Sequence, residues 1–172
     1  MELSEKGIEF LKSIETFRPK PYDDQTGKEI TEWCKGATIG YGHLIGKAVW
    51  LRISVVKLGK LILEGGISEE QGALLLRYDL ERFEAAVLSK VDRDHINQNE
   101  FDALVILCYN IGTYAFTTSS LARMLKGEKT GYRTIEAAWK AWEKSQGRVM
   151  QGLINRRNAE WRIYSEGVYE RW

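Results

Sequence analysis

Two carboxylic acids near the N-terminus, Glu15 and Asp24, differ in their sequence surroundings in the way that an acid and a base require. Eight residues separate them. Glu15 ends an apolar-periodic stretch and stands close to Ile14 and Phe17, where partial desolvation would favour its protonated form. Asp24 is followed by the polar sequence QTG and should stay ionised there. The pattern therefore favours a division of roles between a proton donor and an anion.

Such a division is what the hydrolysis of a glycosidic bond needs. One acid protonates the leaving oxygen, while a second group handles the positive charge, or the water, on the other side of the sugar. A solvated turn would contain the same residue types, so this stretch alone leaves both interpretations open. Asp23, the other aspartate of the pair, does not keep the eight-residue spacing and is interpreted as a solvated neighbour.

Periodicity, caps and breakers predict the elements that must position these acids. A helix over 3–15 begins at Ser4, and two prolines then favour extended chain. Glycines with Tyr, Thr and Ile predict short antiparallel strands and turns between about 17 and 45. Ser68 and Gln71 form a predicted capping box for a long helix. The helices predicted beyond residue 66 are about 68–90, 97–111, 118–127, 134–145 and 153–165.

Together these elements predict an α+β fold with two lobes in a single domain, 1–172. The small β-containing N-terminal lobe is about 16–66, and an inter-lobe helix of about 68–90 follows it. The larger, all-helical C-terminal lobe is about 91–172, together with the N-terminal helix 3–15. A cleft between two lobes is a natural place for a ligand.

The segment 46–66 is ambiguous. Its apolar residues fall nearly all round a helical wheel, whereas its β-branched content favours strand. A buried wall of the small lobe is one interpretation. The other is a cationic, membrane-active patch formed with Arg52, Lys57 and Lys60.

Composition indicates a globular chain, with 44% hydrophobic and 28% charged residues. Cys34 and Cys108 make neither a disulfide framework nor a metal site, and Cys108 is predicted to be a small buried hydrophobe. We expect no signal peptide and no membrane-spanning segment. Residues 123–172 contain eleven basic against six acidic residues, a net charge of +5 that could face a polyanion or simply be solvated.

Four sequence blocks, taken in their order along the chain, give the sequence a family resemblance. The first is Glu15, eight residues, Asp24, Gly27 and then TIGYGH at 38–43. The others are GISEEQGALLLRYDL, INQNEFDALVILCYNIGTYAFTTSSLARML and GRVMQGLINRRNAEWRIY. This pattern covers nearly the whole chain and resembles the phage-type lysozyme (endolysin) family. The resemblance implies a lysozyme-like fold.

By the same resemblance, Glu15 would be the proton donor and Asp24 would stabilise charge or orient the attacking water. Thr38 would help to hold that water with its hydroxyl, with Thr26 as an alternative by proximity. The family cleaves the β-1,4 bond between N-acetylmuramic acid and N-acetylglucosamine in peptidoglycan. No metal and no organic cofactor is implied.

The resemblance also implies supporting and substrate-binding residues. Arg156 would pair with Glu15, and His43 would pair with Asp79. The residues that would line the sugar-binding cleft are Tyr109, Asn110, Ser119 and Gly40. Core packing is an alternative for Tyr109, tight-turn geometry for Gly40, and an ordinary surface position for Arg156.

Three other functions compete with hydrolysis. A lytic transglycosylase would break the same bond without a bound water, which Asp24 and Thr38 argue against. A catalytically inactive wall-binding module would not need the intact set of Glu15, Asp24 and Thr38. A nucleic-acid binder lacks any reading motif.

The resemblance also implies a partner and a route to it. Peptidoglycan is the expected partner, and nucleic acid and stable membrane insertion are not expected. We expect a monomer that stays in the host cytoplasm until a holin-like membrane permeabiliser releases it to the cell wall.

Overall fold

A computed structural model describes residues 1–172 and every side chain except that of Leu58. The chain forms two compact units. The smaller unit is Lys12–Asp79, and the larger unit consists of Met1–Leu11 and Leu80–Trp172. Helices combined with short antiparallel strands confirm the predicted α+β class. The assignment of the whole chain to one domain stays a prediction.

The N-terminal elements agree closely with the sequence prediction. Helix α1 spans Glu5–Ile14, and the Ser4 hydroxyl caps it by accepting the Gly7 N–H at 3.1 Å. Strands β1 (Arg18–Asp23), β2 (Ala37–Gly40) and β3 (His43–Leu44) follow as an antiparallel sheet in that order. The prolines lie in the edge strand β1, where a missing N–H is tolerated.

The ambiguous segment 46–66 forms two short helices and no strand among the described residues. Helix α2 is Lys47–Ser54 and helix α3 is Lys57–Gly65. They cross closely at Gly59, where an added Cβ would lie 2.0 Å from the Ile53 carbonyl oxygen. Trp50 is buried with Ala37, Ile39 and Ile45 in the core of the smaller unit. The segment thus contributes to a core wall, although many of its other apolar side chains are exposed.

The remaining helices continue from the predicted capping box. Helix α4 spans Glu69–Leu88, and its start has the expected reciprocal bonds, Ser68 N–H to Gln71 Oε1 at 2.8 Å and Gln71 N–H to Ser68 Oγ at 3.2 Å. Among the described residues, none of the helices is both long and apolar enough to cross a membrane. The later elements are α5 (Gln98–Ile111), α6 (Thr113–Thr118), α7 (Ser120–Leu125), α8 (Ile135–Lys140), β4 (Lys144–Ser145), β5 (Arg148–Val149) and α9 (Gln151–Glu166).

Two predicted helix boundaries in the larger unit were wrong for local reasons. The helix expected over 118–127 is interrupted at Ser119, whose hydroxyl caps α7 by accepting the Ala122 N–H. The helix expected over 134–145 ends at Lys140, and residues 144–149 form the hairpin of β4 and β5. Gln146 and Gly147 have φ values of 49° and 77°, which give this hairpin its tight turn.

Candidate active site

The position of Glu15 is fixed by the residues on both sides of it. Glu15 is half-buried and comes directly after the last residue of α1. The ring of Phe17, two residues further along the chain, packs on the backbone of α4. A Cβ added at Gly72 would lie only 2.5 Å from the Phe17 Cε2 atom. Phe17 also packs on Tyr41 with ring centroids 5.2 Å apart, and the Tyr41 hydroxyl donates to Glu69 Oε1 at 2.8 Å. These contacts hold the chain that leads from Glu15 into β1.

Asp24 and Thr38 meet at one backbone carbonyl. The Asp24 N–H donates to Gly36 O at 3.1 Å, and the Thr38 hydroxyl donates to the same oxygen at 2.8 Å. Gly36 has a φ of 100°, and a Cβ there would lie 2.1 Å from Asp24 Oδ1. Only glycine allows both this backbone conformation and the close approach of the carboxylate. The structure therefore brings Asp24 and Thr38 together through a residue that sequence reasoning missed.

The two aspartates of the turn have different environments. Asp24 is exposed, and its Oδ1 accepts from Gln25 Nε2 at 3.1 Å. Asp23 is half-buried and organises the turn, since its carboxylate accepts from Gln25 N at 3.0 Å and Thr26 Oγ1 at 2.8 Å. The interpretation of Asp23 as a solvated neighbour missed this structural role. The Thr26 hydroxyl is engaged in the same turn.

Tyr22 links the two carboxylates electrostatically. It lies opposite Thr38 in the register of β1 and β2, and the Arg18 guanidinium carbon lies 4.8 Å from the centre of its ring. Burial raises the pKa of Tyr22, Arg18 lowers it, and the charges of Glu15 and Asp24 raise it further. Both acids therefore act on one phenol. Sequence reasoning also missed Tyr22, which stands two residues before Asp24.

The other predicted residues of the smaller unit have clear structural contacts. His43 Nδ1 lies 2.9 Å from Asp79 Oδ2, and Asp79 is buried. Gly40 has a φ of 67°, and a Cβ there would lie 3.5 Å from the Gly72 Cα atom. That distance is an ordinary van der Waals contact, so the positive φ by itself explains the glycine. The supporting role of the His43–Asp79 pair and the sugar-binding role of Gly40 stay predictions.

The residues predicted to line a sugar site from the larger unit differ in what their polar atoms do. Tyr109 is half-buried and packs on Phe83 with ring centroids 5.0 Å apart. Asn110 is exposed, and its Oδ1 accepts from Arg157 Nη2 at 2.6 Å. Ser119 is buried, and besides capping α7 its hydroxyl donates to the Phe116 carbonyl at 2.7 Å. Asn110 is the most accessible of the three.

Arg156 belongs to a buried polar cluster centred on Glu160. Glu160 Oε1 accepts from Arg156 Nε at 3.1 Å and from Arg157 Nη2 at 2.8 Å. Its other oxygen accepts from the indole N–H of Trp139 at 3.1 Å. Arg156 is therefore not an ordinary surface arginine, because it is 8% exposed. Its predicted pairing with Glu15 stays a prediction.

Metal chemistry has no evident ligand set in the described part of the chain. There, no group of three or more His, Cys, Asp or Glu side chains is arranged to hold a metal ion. Both cysteines are free thiols, and Cys108 is fully buried, as predicted for a small hydrophobe.

Comparison with known proteins gives consistent matches. Residues 12–160 match the family model described as Phage lysozyme. The endolysin of Bacillus phage PZA is 36% identical over 98% of this chain, but the chain spans only 57% of that endolysin's length. The endolysin of Escherichia coli O157:H7 phage FAHEc1 has a solved structure with a TM-score of 0.72 and 33% identity, covering 99% of this chain and 98% of its own.

A second solved structure extends the likeness beyond phage proteins. The muramidase domain of SpmX from Asticaccaulis excentricus has a TM-score of 0.67 and 28% identity, covering 95% of this chain and 97% of its own. The family match covers most of the sequence, and the phage FAHEc1 endolysin is matched over nearly its full length at above 30% identity. The chain therefore belongs to the phage lysozyme family.

Proposed function

We propose that this chain is a lysozyme of the endolysin type, which hydrolyses the β-1,4 bond between N-acetylmuramic acid and N-acetylglucosamine in peptidoglycan. The observation that carries the proposal is the shared carbonyl of Gly36, which joins Asp24 to Thr38. Asp24 and Thr38 both lie in the smaller unit, which also contains Glu15. Support for the substrate comes from the endolysins and the muramidase domain that the chain resembles.

Glu15 is the proposed general acid. It is half-buried directly after α1, a position from which its carboxyl group could deliver a proton to the glycosidic oxygen. The packing of Phe17 on Gly72 restricts the backbone that carries Glu15. A donor held in this way is better oriented for proton transfer than one on a mobile loop.

Asp24 and Thr38 are proposed to act on the opposite side of the sugar. The exposed carboxylate of Asp24 is suited to stabilise the positive charge that develops at the anomeric carbon. The Thr38 hydroxyl uses its hydrogen on Gly36 O, so its oxygen is left as an acceptor for a water proton. A water that donates to Thr38 would turn a lone pair towards the anomeric carbon.

The remaining roles are carried over from the family resemblance. We assign sugar contacts to Asn110, Tyr109, Ser119 and Gly40, and Asn110 has the strongest support because it is exposed and oriented by Arg157. Arg156 is proposed to support Glu15. The pairing of His43 with Asp79 is proposed to brace β3 against α4.

Delivery follows from the same proposal. The protein acts as a monomer on peptidoglycan, and neither nucleic acid nor stable membrane insertion takes part. It remains in the host cytoplasm until a holin-like permeabiliser opens the route to the cell wall.

Product analysis tests the proposed reaction. Purified peptidoglycan is digested, reduced with borohydride and separated for mass spectrometry. The proposal predicts fragments with reduced N-acetylmuramic acid at their new ends. Fragments with 1,6-anhydro ends would identify a lytic transglycosylase, and new N-acetylglucosamine ends would identify a different bond. Binding to the wall with no new ends would identify an inactive wall-binding module.

A further inference from the structure

Helices α2 and α3 expose far more apolar surface than a core wall needs. We call their outward-facing residues the α2–α3 surface. Val55 is 79% exposed, and the other members are each about half exposed or more. The apolar members of the α2–α3 surface are Leu51, Val55, Val56 and Leu61. Several exposed apolar side chains on two neighbouring helices are more than the scattered single ones of an ordinary surface and point to an interaction site.

An apolar groove adjoins this surface within the smaller unit. It has a volume of about 400 Å³ and lies between the two helices, the sheet and the first turns of α4. Val49 and Leu74 line the groove and are themselves exposed, so further apolar surface of the smaller unit is accessible beside the two helices. Its deeper lining is formed by Ile53, Ile62, Leu63, Ile67 and Leu75.

The charges on the two helices are strongly one-sided. Residues 47–65 contain four basic residues and one acidic residue, Glu64, a net charge of +3. All four basic side chains are exposed; they are Lys47, Arg52, Lys57 and Lys60. At 100° per residue, Leu51 and Val55, the helical-backbone residue that directly follows α2, lie on the side opposite Ile53, with Lys47 and Arg52 on the two flanks. This is the arrangement of a helix that lies in a membrane interface.

We infer that the α2–α3 surface binds the surface of an anionic phospholipid bilayer. The apolar side chains would enter the boundary between headgroups and acyl chains, while the long basic side chains reach back to lipid phosphates. The groove beside them could accept part of an acyl chain. A second copy of the protein is a poorer occupant, because each surface would face a like charge of +3. The binding is peripheral and needs no spanning helix.

Vesicle co-sedimentation of the full chain tests the inference. The probes are vesicles of phosphatidylglycerol mixed with phosphatidylcholine, and vesicles of phosphatidylcholine alone. We expect binding to the mixed vesicles and at least tenfold weaker binding to the neutral ones. The variant Lys57→Gln/Lys60→Gln should bind the mixed vesicles about 30-fold more weakly, from about 1 kcal/mol for each basic residue at the membrane.

Matched controls distinguish binding through the α2–α3 surface from nonspecific adsorption to the vesicles. Lys126→Gln/Lys129→Gln removes the same charge from exposed positions of the larger unit and should bind as the unaltered protein does. Leu51→Ser/Val55→Ser should lose at least about tenfold in affinity. Tyr114→Ser, which alters a side chain that is 82% exposed on α6, should lose none. Each variant is first checked for an unchanged thermal midpoint, which is expected because all the altered positions are exposed.

Several results would overturn the inference. They are equal binding to neutral vesicles, no binding to either vesicle, and loss of binding in the controls instead of the α2–α3 variants. Self-association that Leu51→Ser/Val55→Ser abolishes would assign the surface to a second copy. Since the vesicles contain no peptidoglycan, Glu15→Gln should bind them normally. Failure here therefore leaves the proposed hydrolysis untouched.

Discussion

The acidic side chains of two regions, one in each unit, have opposite environments. In the larger unit, Asp102 and Glu160 are fully buried, and each accepts at least three hydrogen bonds. Asp102 accepts from the backbone and hydroxyl of Ser4, from Gln98 Nε2 at 2.7 Å and from the Tyr169 hydroxyl at 2.6 Å. In the smaller unit, Asp24 is exposed and takes a side-chain hydrogen bond from its neighbour Gln25.

This difference separates carboxylates that maintain the fold from those that can meet a substrate. Asp102 ties the start and the end of the chain to α5, through Ser4 and Tyr169. An acid whose acceptor capacity is consumed inside the protein has little left for chemistry. The buried acids should therefore control stability, while Asp24 and Glu15 should control turnover.

The largest expected effect is on stability, at the centre of the buried cluster. Glu160→Gln leaves the guanidinium groups of Arg156 and Arg157 without their shared anion. The free energy of unfolding should fall by about 3–5 kcal/mol, the usual cost of removing one partner from a buried ion pair. Urea denaturation measures it. Glu166→Gln, on an exposed turn of the same helix, should change it by less than about 0.5 kcal/mol. Equal effects would remove the distinction between buried and exposed acids.

A smaller effect on stability, combined with a loss of turnover, is expected at Gly36. Gly36→Ala forces a Cβ into a position 2.1 Å from Asp24 Oδ1 at a φ of 100°. Strain should cost about 1–3 kcal/mol, and displacement of the carboxylate should lower the clearing rate of peptidoglycan by about 10²-fold. Gly147→Ala meets comparable strain at a φ of 77° with nothing within 4 Å. It should keep its clearing rate per folded molecule, and an equal loss in both variants would show that strain alone is responsible.

The smallest effect concerns the two thiols, one in each unit. Burial raises the pKa of Cys108 to about 12, so at pH 8 it stays protonated and should not react with a disulfide reagent until the protein unfolds. Partial desolvation, with the charges of Asp23 and Asp24, raises the pKa of Cys34. Asp24→Asn removes one of these charges, lowers that pKa and should speed labelling of Cys34 by about twofold to threefold. Unchanged labelling of Cys34 would show that the Asp24 side chain has no influence on this thiol, and labelling of Cys108 in the folded protein would contradict its burial.

Much of the fold was predictable because its signals are local. The caps at Ser4 and Ser68, the prolines of β1 and the apolar spacing of α5 each depend on neighbours within a few residues. Residues 46–66 were ambiguous because β-branched side chains favour strand, whereas packing of Trp50 in the core and the close crossing at Gly59 favour two helices. Such tertiary contacts override local propensity.

The candidate site was predictable only in part. Glu15, Asp24 and Thr38 came from spacing and from a family resemblance, whereas Gly36 and Tyr22 were missed. The role of Gly36 depends on a carbonyl that two distant residues share and on a positive φ, neither of which leaves a distinctive local pattern. For Ser119, the role predicted from the sequence differs from the contacts that its hydroxyl makes. Its sequence context suggested a ligand contact, yet its hydroxyl caps a helix.

The most direct test of the central claim is the clearing rate of purified peptidoglycan by Glu15→Gln. If Glu15 donates the proton, the rate should fall by at least about 10²-fold, while the urea midpoint stays close to that of the unaltered protein. Glu32→Gln, at an exposed position of the same unit, should clear at the unaltered rate. Equal clearing by Glu15→Gln and the unaltered protein would contradict the account.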